Sequence, residues 1–341
     1  MLSNWLDTPA PDKGATSQDG TQEISEQSDP VIAPPSLDAP LGLALGGGAA
    51  KGWSHIGVFH ALDEAGIRPD IITGTSIGAV VGGCYLAGRL DKLEEFARGL
   101  TRGRLFGLLD VSFSGSSLIN GTRLTKLLKR YLNDIKIEDL DRPFMAVGTE
   151  LSTGHEIWLR RGSLITAMQA SYALPGVFSP VNVNGRLLVD GALVNPVPVS
   201  LTRALGARIV IAVNLSSDTF GRGTIVPNVH FEDDRLPASQ PLEREAPAMG
   251  TLGTLKNLVF GNEEQGSPGI SSVMFDAYTI IQDRITRSRL AGDPPDITIK
   301  PRLKDIGMFD FDQAEASIAA GYAATQKVIK ELHELSDDLK S

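Results

Sequence analysis

The stretch LGLALGGGAAKGWSHIG, from Leu41 to Gly57, places three consecutive glycines between an apolar strand and the start of a helix. One glycine is enough for a strand-to-helix turn, so three in a row indicate a role besides turning the chain. Consecutive glycines leave backbone N–H groups facing a cleft without side chains in the way, and the helix behind them adds positive potential. Such a loop suits a nucleotide phosphate or the oxyanion of a reacting ester, and a tight turn alone is the third interpretation.

The two common phosphate-binding motifs do not fit this loop. A P-loop closes with Gly-Lys-Ser/Thr, but here Lys51 precedes Gly52. The dinucleotide pattern G-x-G-x-x-G is matched neither from Gly46 nor from Gly47. The next strand, DIITG, also has no acidic residue at its carboxyl end to bind a ribose. The oxyanion and the tight turn are the interpretations that remain.

From Leu41 onward, short apolar runs alternate with amphipathic stretches of helical length. The predicted strands are LGLAL, DIITG, FMAVGTEL, HEIWLR, RLLVD, ARIVIAVNL and DITIKP. A continuous run such as IVIAV is typical of a strand that is buried on both faces. The alternation therefore predicts an α/β fold with a largely parallel central sheet.

Two stretches fall outside this rhythm. Residues 1–38 are polar, acidic and proline-bearing, a composition that favours a disordered tail. Residues 215–270 are rich in Gly and Pro, and a connection of this length in a compact domain is usually functional or disordered. We therefore expect one domain over residues 39–335, with an insertion at 215–270 in which TLGTLKNLVFG is a candidate lid.

Composition and charge exclude several classes of protein. The 341 residues carry a formal net charge of −9, which argues against a general nucleic-acid-binding surface. Cys84 is the single cysteine, so an intrachain disulfide and a cysteine zinc site are excluded. The N-terminus has no signal-peptide pattern, and no run approaches the roughly 20 apolar residues that span a bilayer. We expect a cytoplasmic protein, either free or peripheral at the inner membrane surface.

The second predicted strand ends in a candidate nucleophile. Gly74-Thr75-Ser76-Ile77-Gly78 matches G-x-S-x-G, the pattern of a serine on a sharp strand-to-helix turn. Serine is also a good helix cap, so the five residues alone do not decide between catalysis and capping. The apolar strand before Ser76 and the small-residue helix after it are the context that the catalytic motif requires.

A serine nucleophile needs a base, and histidine is the usual one. The five histidines are His55, His60, His155, His230 and His333. In the chain order Ser-Asp-His only His230 and His333 could serve, and neither follows a strand end. His230 stays open as the base of an alternative lipase or thioesterase mechanism.

Asp190 is the stronger candidate for the base. In GRLLVDGALVNPVPV it stands at the end of an apolar strand, directly before a glycine. Because the carboxyl ends of parallel strands meet at one edge of a sheet, Asp190 is expected to face Ser76. The alternative is a structural aspartate that caps the following turn.

Four blocks together resemble the patatin-like phospholipases, and in particular their bacterial members. The blocks are GGGAAKGWSHIGV at 46–58, GTSIGA at 74–79, QASYALPGVFSPV at 169–181 and DGA at 190–192. The stretch DFDQAEASIAAGYAAT is similar to the C-terminal helix of that family. The resemblance implies a three-layer α/β/α fold and a Ser–Asp dyad without a histidine.

On this resemblance Ser76 is the nucleophile, Asp190 is the base, and the N–H groups of Gly46, Gly47 and Gly48 form the oxyanion hole. Lys51 stands where the family has a basic residue with a structural role. The implied reaction is hydrolysis of a phospholipid or lysophospholipid ester, with no metal and no organic cofactor. Residues 98–115 and 121–132 could form a membrane-facing rim, although an amphipathic helix with a solvated basic face explains them equally well.

Three alternatives are left open by the residues. A thioesterase or lipase could use His230, and a non-enzymatic regulator could bind acyl chains in the same pocket. Acyl transfer to an acceptor other than water would use the same groups. The sequence does not specify the head group, the acyl chain or the oligomeric state.

Overall fold

The apolar runs of the sequence form the central sheet of the protein. A computed structural model describes residues 40–101, 103, 117–119, 122–132, 135–218 and 270–338, all within one compact unit, 35–341. Its strands are β1 (Leu41–Leu45), β2 (Ile71–Thr75), β3 (Ser117–Ile119), β4 (Phe144–Glu150), β5 (Glu156–Leu159), β6 (Gly176–Phe178), β7 (Val181–Val183), β8 (Arg186–Asp190), β9 (Ile209–Val213) and β10 (Ile297–Ile299). Its helices are α1 (Ser54–Glu64), α2 (Ile77–Leu86), α3 (Leu90–Arg98), α4 (Thr122–Leu132), α5 (Leu164–Tyr172), α6 (Val199–Ala204), α7 (Ile270–Gly292), α8 (Ala314–Gln326) and α9 (Ile329–Asp338).

Within the described residues the main sheet has eight strands, and β10, β9, β1, β2 and β4 run parallel in that order. Strands β5, β8 and β7 add antiparallel pairings beyond β4. The seven predicted strands are all present, and the α/β class is confirmed. The short strands β3, β6 and β7 were not predicted, and β3 and β6 form a separate parallel pair.

Two layers of helices cover the sheet, as the pattern of alternate residues along the strands requires. Leu43 and Leu45 of β1 lie in the large core formed with α1, α2, α5 and α8. Ala44, between them, points to the other face and packs with Val199 of α6. Strand β1 is thus buried on both faces, and the predicted three-layer α/β/α arrangement is confirmed.

The position of the candidate site follows from which strands pair with each of the two edges of β4. Strand β5 pairs with residues 146–149, so it takes up one edge of β4. Strands β2 and β8 must therefore share the other edge. Strand β2 runs parallel to β4 and ends with Thr75 opposite Val147, while β8 runs antiparallel and ends with Asp190 opposite Gly148. The carboxyl ends of β2 and β8 consequently meet head to head at adjacent positions of β4.

This arrangement corrects one expectation from the sequence. Asp190 does not reach Ser76 from a parallel neighbour, because β8 is antiparallel to β4. The two-residue turn Asn184-Gly185 between β7 and β8 reverses the chain, and both residues have the positive φ angles of a tight hairpin.

Helices α1 and α8 cross at van der Waals contact of their backbones. A Cβ atom at Gly321 would overlap with the carbonyl of Ser54, and one at Gly57 would overlap with the carbonyl of Ile318. The glycine inside the predicted C-terminal helix is therefore needed for packing.

Helix α4 covers most of the stretch 121–132 that was considered for a membrane rim. Leu128 and Leu132 are buried in the main core, while Lys126, Lys129 and Arg130 are exposed. This favours the alternative of a packed amphipathic helix with a solvated basic face. The tail 1–38, most of the stretch 98–115, residues 219–269 of the insertion and His230 lie outside the described residues.

In the part of the chain that is described, no helix combines the length and the apolar character that crossing a membrane requires.

Candidate active site

Ser76 lies on a strained turn between β2 and α2. Its backbone has φ 56° and ψ −124°, a region that non-glycine residues rarely adopt. The N–H of Ser76 donates a hydrogen bond of 2.8 Å to Oγ of Ser171 on α5. The side chain of Ser76 makes no capping bond to α2, so the capping interpretation does not apply.

The hydroxyl of Ser76 instead donates to Asp190, with 2.7 Å between Oγ and Oδ2. The second carboxylate oxygen, Oδ1, accepts a 2.8 Å bond from the N–H of Ala192. The backbone of Asp190 is fixed as well, because its N–H donates to the carbonyl of Ala173 and its carbonyl accepts from the hydroxyl of Thr149. The structure thus brings together the two predicted site residues, with two hydrogen bonds to the carboxylate of Asp190 and two to its backbone.

Asp190 is only 3% exposed, and this burial raises the pKa of its carboxyl group from 3.8 to about 6. The bonds from Ala192 and Ser76 oppose the shift by stabilising the charged form. A carboxylate with a pKa near 6 is ionised at neutral pH, yet it is a better proton acceptor than an ordinary aspartate.

The segment 169–181 forms hydrogen bonds with both Ser76 and Asp190. Ser171 accepts from the N–H of Ser76, and the carbonyl of Ala173 accepts from the N–H of Asp190. The sequence analysis quoted this segment but assigned no function to these two residues. Ser171 is the second-to-last residue of α5, a helix that was not predicted, and a serine in that position carries no local signal of such a contact.

The glycine loop is close to Ser76, but its three N–H groups are not equivalent. A Cβ atom at Gly47 would lie 3.4 Å from Cβ of Ser76. The N–H of Gly46 donates to the carbonyl of Val213 (3.1 Å), and that of Gly47 donates to the carbonyl of Pro196 (2.9 Å). In this arrangement Gly46 and Gly47 cannot also donate to an oxyanion, which differs from the expectation that all three glycines do so.

The N–H groups of Gly48 and Ala49 make no hydrogen bond with the described part of the chain. Ala49 has a positive φ of 47°, so the turn directs these two consecutive N–H groups differently from those before them. These two are the loop groups that remain available to an anionic ligand.

His55 contacts the glycine loop through its imidazole ring. Its Nε2 lies 2.8 Å from the carbonyl oxygen of Gly46, and because a carbonyl only accepts, Nε2 carries the proton. Full burial lowers the pKa of His55 to about 4, so the ring is neutral. His55 therefore has a positioning contact with the loop and no contact with the Ser76 hydroxyl, whose partner is Asp190.

The other described histidines are also engaged elsewhere or exposed. His60 pairs with Glu94 at 2.6 Å, and His155 and His333 are exposed. Burial lowers the pKa of Lys51, with an opposing effect of the Asp218 charge. The carbonyl of Lys51 accepts from Ser54 and Ser317, which fits the structural role that the resemblance implies for this position.

An apolar cluster adjoins the pair. Its members are Leu174, Val177, Phe178, Phe275, Tyr278, Met308 and Phe309. Leu174 follows the carbonyl that holds Asp190, and the carbonyl of Met308 accepts from Ala50 behind the glycine loop. The apolar cluster is thus linked both to the segment that holds Asp190 and to the glycine loop.

Tyr278 on α7 is the polar member of this cluster and was not found from the sequence. Its hydroxyl is buried and makes no hydrogen bond of normal geometry with the described residues. Burial and the negative charge of Asp190 raise the pKa of Tyr278 well above 10. The neutral phenol is therefore a hydrogen-bond donor close enough to Asp190 to be affected by its charge.

Comparisons with known proteins indicate the family of the chain. The family model "Patatin-like phospholipase" matches residues 43–203. An "Uncharacterized NTE family protein" of Mycobacterium tuberculosis is 32% identical over 336 residues, covering 87% of this chain and 93% of that protein. The mouse "Patatin-like phospholipase domain-containing protein 6" is 35% identical over 184 residues, covering 52% of this chain and 14% of that protein.

Among solved structures, the crystal structure of VipD from Legionella pneumophila aligns with a TM-score of 0.50. The alignment covers 86% of this chain and 67% of that chain at 15% identity, so it supports the fold alone.

The chain belongs to the patatin-like phospholipase family. It is accordingly a hydrolase of carboxylic ester bonds with lipid acyl hydrolase activity as its class of reaction.

Proposed function

We propose that this protein hydrolyses the acyl esters of phospholipids or lysophospholipids with Ser76 as nucleophile and Asp190 as base. The observation that carries the proposal is the 2.7 Å bond between Ser76 Oγ and Asp190 Oδ2, made by a serine on a strained turn. A serine that only capped α2 would direct its hydroxyl oxygen to a backbone N–H of that helix. An aspartate that only capped the following turn would not need the hydrogen bond from the Ser76 hydroxyl.

In the proposed reaction Oγ of Ser76 attacks the ester carbonyl carbon while its proton passes to Oδ2 of Asp190. The tetrahedral intermediate collapses, the ester C–O bond breaks, and the departing alcohol takes the proton from Asp190. Water then attacks the acyl-serine and gives a proton to Asp190. Release of the fatty acid returns that proton to Ser76, so the enzyme is unchanged.

We assign the oxyanion hole to the N–H groups of Gly48 and Ala49, because those of Gly46 and Gly47 already have acceptors. Removal of one oxyanion donor costs about 2.7–4 kcal/mol of transition-state stabilisation in a well-studied protease. The acyl chain is placed against the apolar cluster around Phe275 and Phe178. The catalytic domain is proposed to span 39–335, on the cytoplasmic side of the cell.

The decisive experiment is labelling with an alkyl fluorophosphonate, followed by mapping of the adduct. We expect one adduct on Ser76, slowed at least a hundredfold in Asp190→Asn and absent in Ser76→Ala. Release of fatty acid from phosphatidylcholine and lysophosphatidylcholine in mixed micelles should be fastest with wild type, slower with Asp190→Asn and absent with Ser76→Ala.

An adduct on another serine, or hydrolysis that persists in folded Ser76→Ala, would overturn the proposal. Full activity of Asp190→Asn together with its loss in a His230 variant would favour the histidine mechanism instead.

A further inference from the structure

Helix α7 carries an apolar stripe on its exposed side. Val273, Met274, Ile280 and Ile281 are between 45% and 66% exposed, and Ala277 between them is exposed as well. At 100° per residue these five positions share one face of the helix. A soluble surface seldom collects several large apolar side chains in one row, so the stripe indicates a binding surface.

The opposite side of α7 faces the candidate site. Phe275 and Tyr278 belong to the apolar cluster, and the charge of Asp190 acts on Tyr278. The helix also packs against the turn 191–193 that follows Asp190. A surface that binds the stripe would therefore lie one helix diameter, about 10 Å, from the catalytic pair.

The charges along α7 favour an anionic partner. Arg284 continues the stripe one turn after Ile280 and is exposed, and it forms no ion pair with a described residue. The next two arginines are neutralised, Arg287 by Asp283 and Arg289 by Glu156. Asp276, also exposed, lies on the flank of the stripe.

We propose that the Val273–Ile281 stripe docks on a lipid surface, with Arg284 bound to the phosphate of an anionic headgroup. A helix that lies in the plane of a membrane interface buries an apolar face in the lipid, and a basic side chain near that surface is attracted to anionic headgroups. The stripe runs about 12 Å along the helix, whereas a stable dimer buries about 800 Å² on each partner. A lipid surface therefore fits it better than a second copy.

This inference rests on the proposed lipid substrate, and it gives the stripe a purpose in that reaction. Docking at α7 would bring the membrane next to the apolar cluster, so that an acyl chain could pass to the site with little contact with water.

The test separates membrane binding from ester chemistry. The full-length wild type, Met274→Gln/Ile281→Gln and Arg284→Gln are floated with vesicles of phosphatidylcholine, with or without one quarter phosphatidylglycerol. Glutamine keeps helix propensity, and Leu151→Gln, which changes a 53% exposed leucine on the β4–β5 turn, is the matched control. Each protein is also assayed on p-nitrophenyl butyrate, a monomeric ester.

We expect Met274→Gln/Ile281→Gln to reduce partition to both vesicles at least tenfold, with turnover of the monomeric ester within twofold of wild type. Arg284→Gln should reduce partition only to the anionic vesicles, by about fivefold. Leu151→Gln should bind like wild type.

Equal binding of the stripe variants and wild type, or no binding by wild type, would overturn the inference. A loss of thermal stability in Met274→Gln/Ile281→Gln without lipid would assign the stripe to packing within the chain, and a dimer dispersed by the double variant would assign it to a second copy. Wild type that floats but does not hydrolyse the monomeric ester would contradict the proposed function and leave the docking surface intact.

Discussion

Ser76 and Asp190 each occupy an unfavourable local environment that their neighbours stabilise. The positive φ of Ser76 is held by the bond from its N–H to Ser171, and burial of the Asp190 carboxylate is compensated by the N–H of Ala192 and the hydroxyl of Ser76. Strain of this kind commonly costs about 1–3 kcal/mol and persists where surrounding contacts fix it. Both features are consistent with a site arranged for reaction.

The pH dependence of the reaction should report Asp190. Because the base must be ionised, kcat/KM is expected to rise with pH, to reach half of its maximum at about 6, the pKa of Asp190, and to become level about one pH unit higher. Stopped assays on the monomeric ester between pH 4.5 and 8.5 would measure this. A profile with its midpoint near 7 that disappears on histidine substitution would contradict a carboxylate base.

At this scale the proximity of Ser76 and Asp190 was predicted correctly, whereas the hydrogen bonds made by the N–H groups of Gly46 and Gly47 were not predicted. G-x-S-x-G and the strand-terminal Asp-Gly are local patterns, so short windows contain them. The acceptors that occupy the N–H groups of Gly46 and Gly47 are the carbonyls of Val213 and Pro196, well over a hundred residues away. No local pattern shows such contacts.

At the scale of elements, the end of α5 forms hydrogen bonds with Ser76 after β2 and with Asp190 at the end of β8. Ser171→Ala removes the acceptor of the Ser76 N–H and should lower kcat about tenfold or more, since the strained turn then has an unpaired buried donor. The matched control is Ser163→Ala at the start of the same helix, where the hydroxyl accepts from Thr166. That variant should lose about 1 kcal/mol of stability and keep its kcat.

Rates of fluorophosphonate labelling, together with thermal unfolding of both serine variants, would separate the two effects. Unchanged labelling of Ser171→Ala would show that the turn holds its geometry without this bond.

The crossing of α1 and α8 is a second feature of this scale. Gly321→Ala would place a methyl group on the Ser54 carbonyl and should destabilise the protein by about 2–3 kcal/mol. Gly292→Ala, at the end of α7, is the control because nothing lies within 4 Å of the added atom. Urea unfolding of the two variants measures the difference, and equal stability would mean that the helices can separate without loss.

The direction of β8 is what element-level analysis of the sequence missed. The short apolar run in RLLVD specifies a strand but not its direction. The signal was the Asn184-Gly185 pair just before it, the strongest short-range mark of a hairpin. Its neighbours β6 and β7 have three residues each, too few for a periodic pattern to stand out.

For the whole molecule, the buried carboxylate links activity to stability. The pKa of Asp190 is higher in the folded state, about 6, than its ordinary value of 3.8, so folding favours the protonated form. Stability should therefore decrease as pH rises from about 4 to 6 and remain lower above that, by on the order of 3 kcal/mol at most. Asp190→Asn removes the charge and should be more stable than wild type at pH 8, with the difference vanishing at pH 4.

Unfolding free energies in urea at the two pH values would measure this. Ser76→Ala is the control, because it is equally inactive but retains the carboxylate and so should keep the decrease. A pH-independent difference between wild type and Asp190→Asn would attribute the effect to packing.

The meeting of β2 and β8 on one edge of β4 also decides when the protein becomes reactive during its own synthesis. The chain emerges from the ribosome with its N-terminal part first, and the base follows the nucleophile by 114 residues. Until the Asn184-Gly185 hairpin has formed and β8 has paired with Gly148, the serine has no partner and ordinary reactivity. In the proposed mechanism a nascent chain without β8 therefore has no base for Ser76, and we expect hydrolytic activity only once β8 has paired with β4.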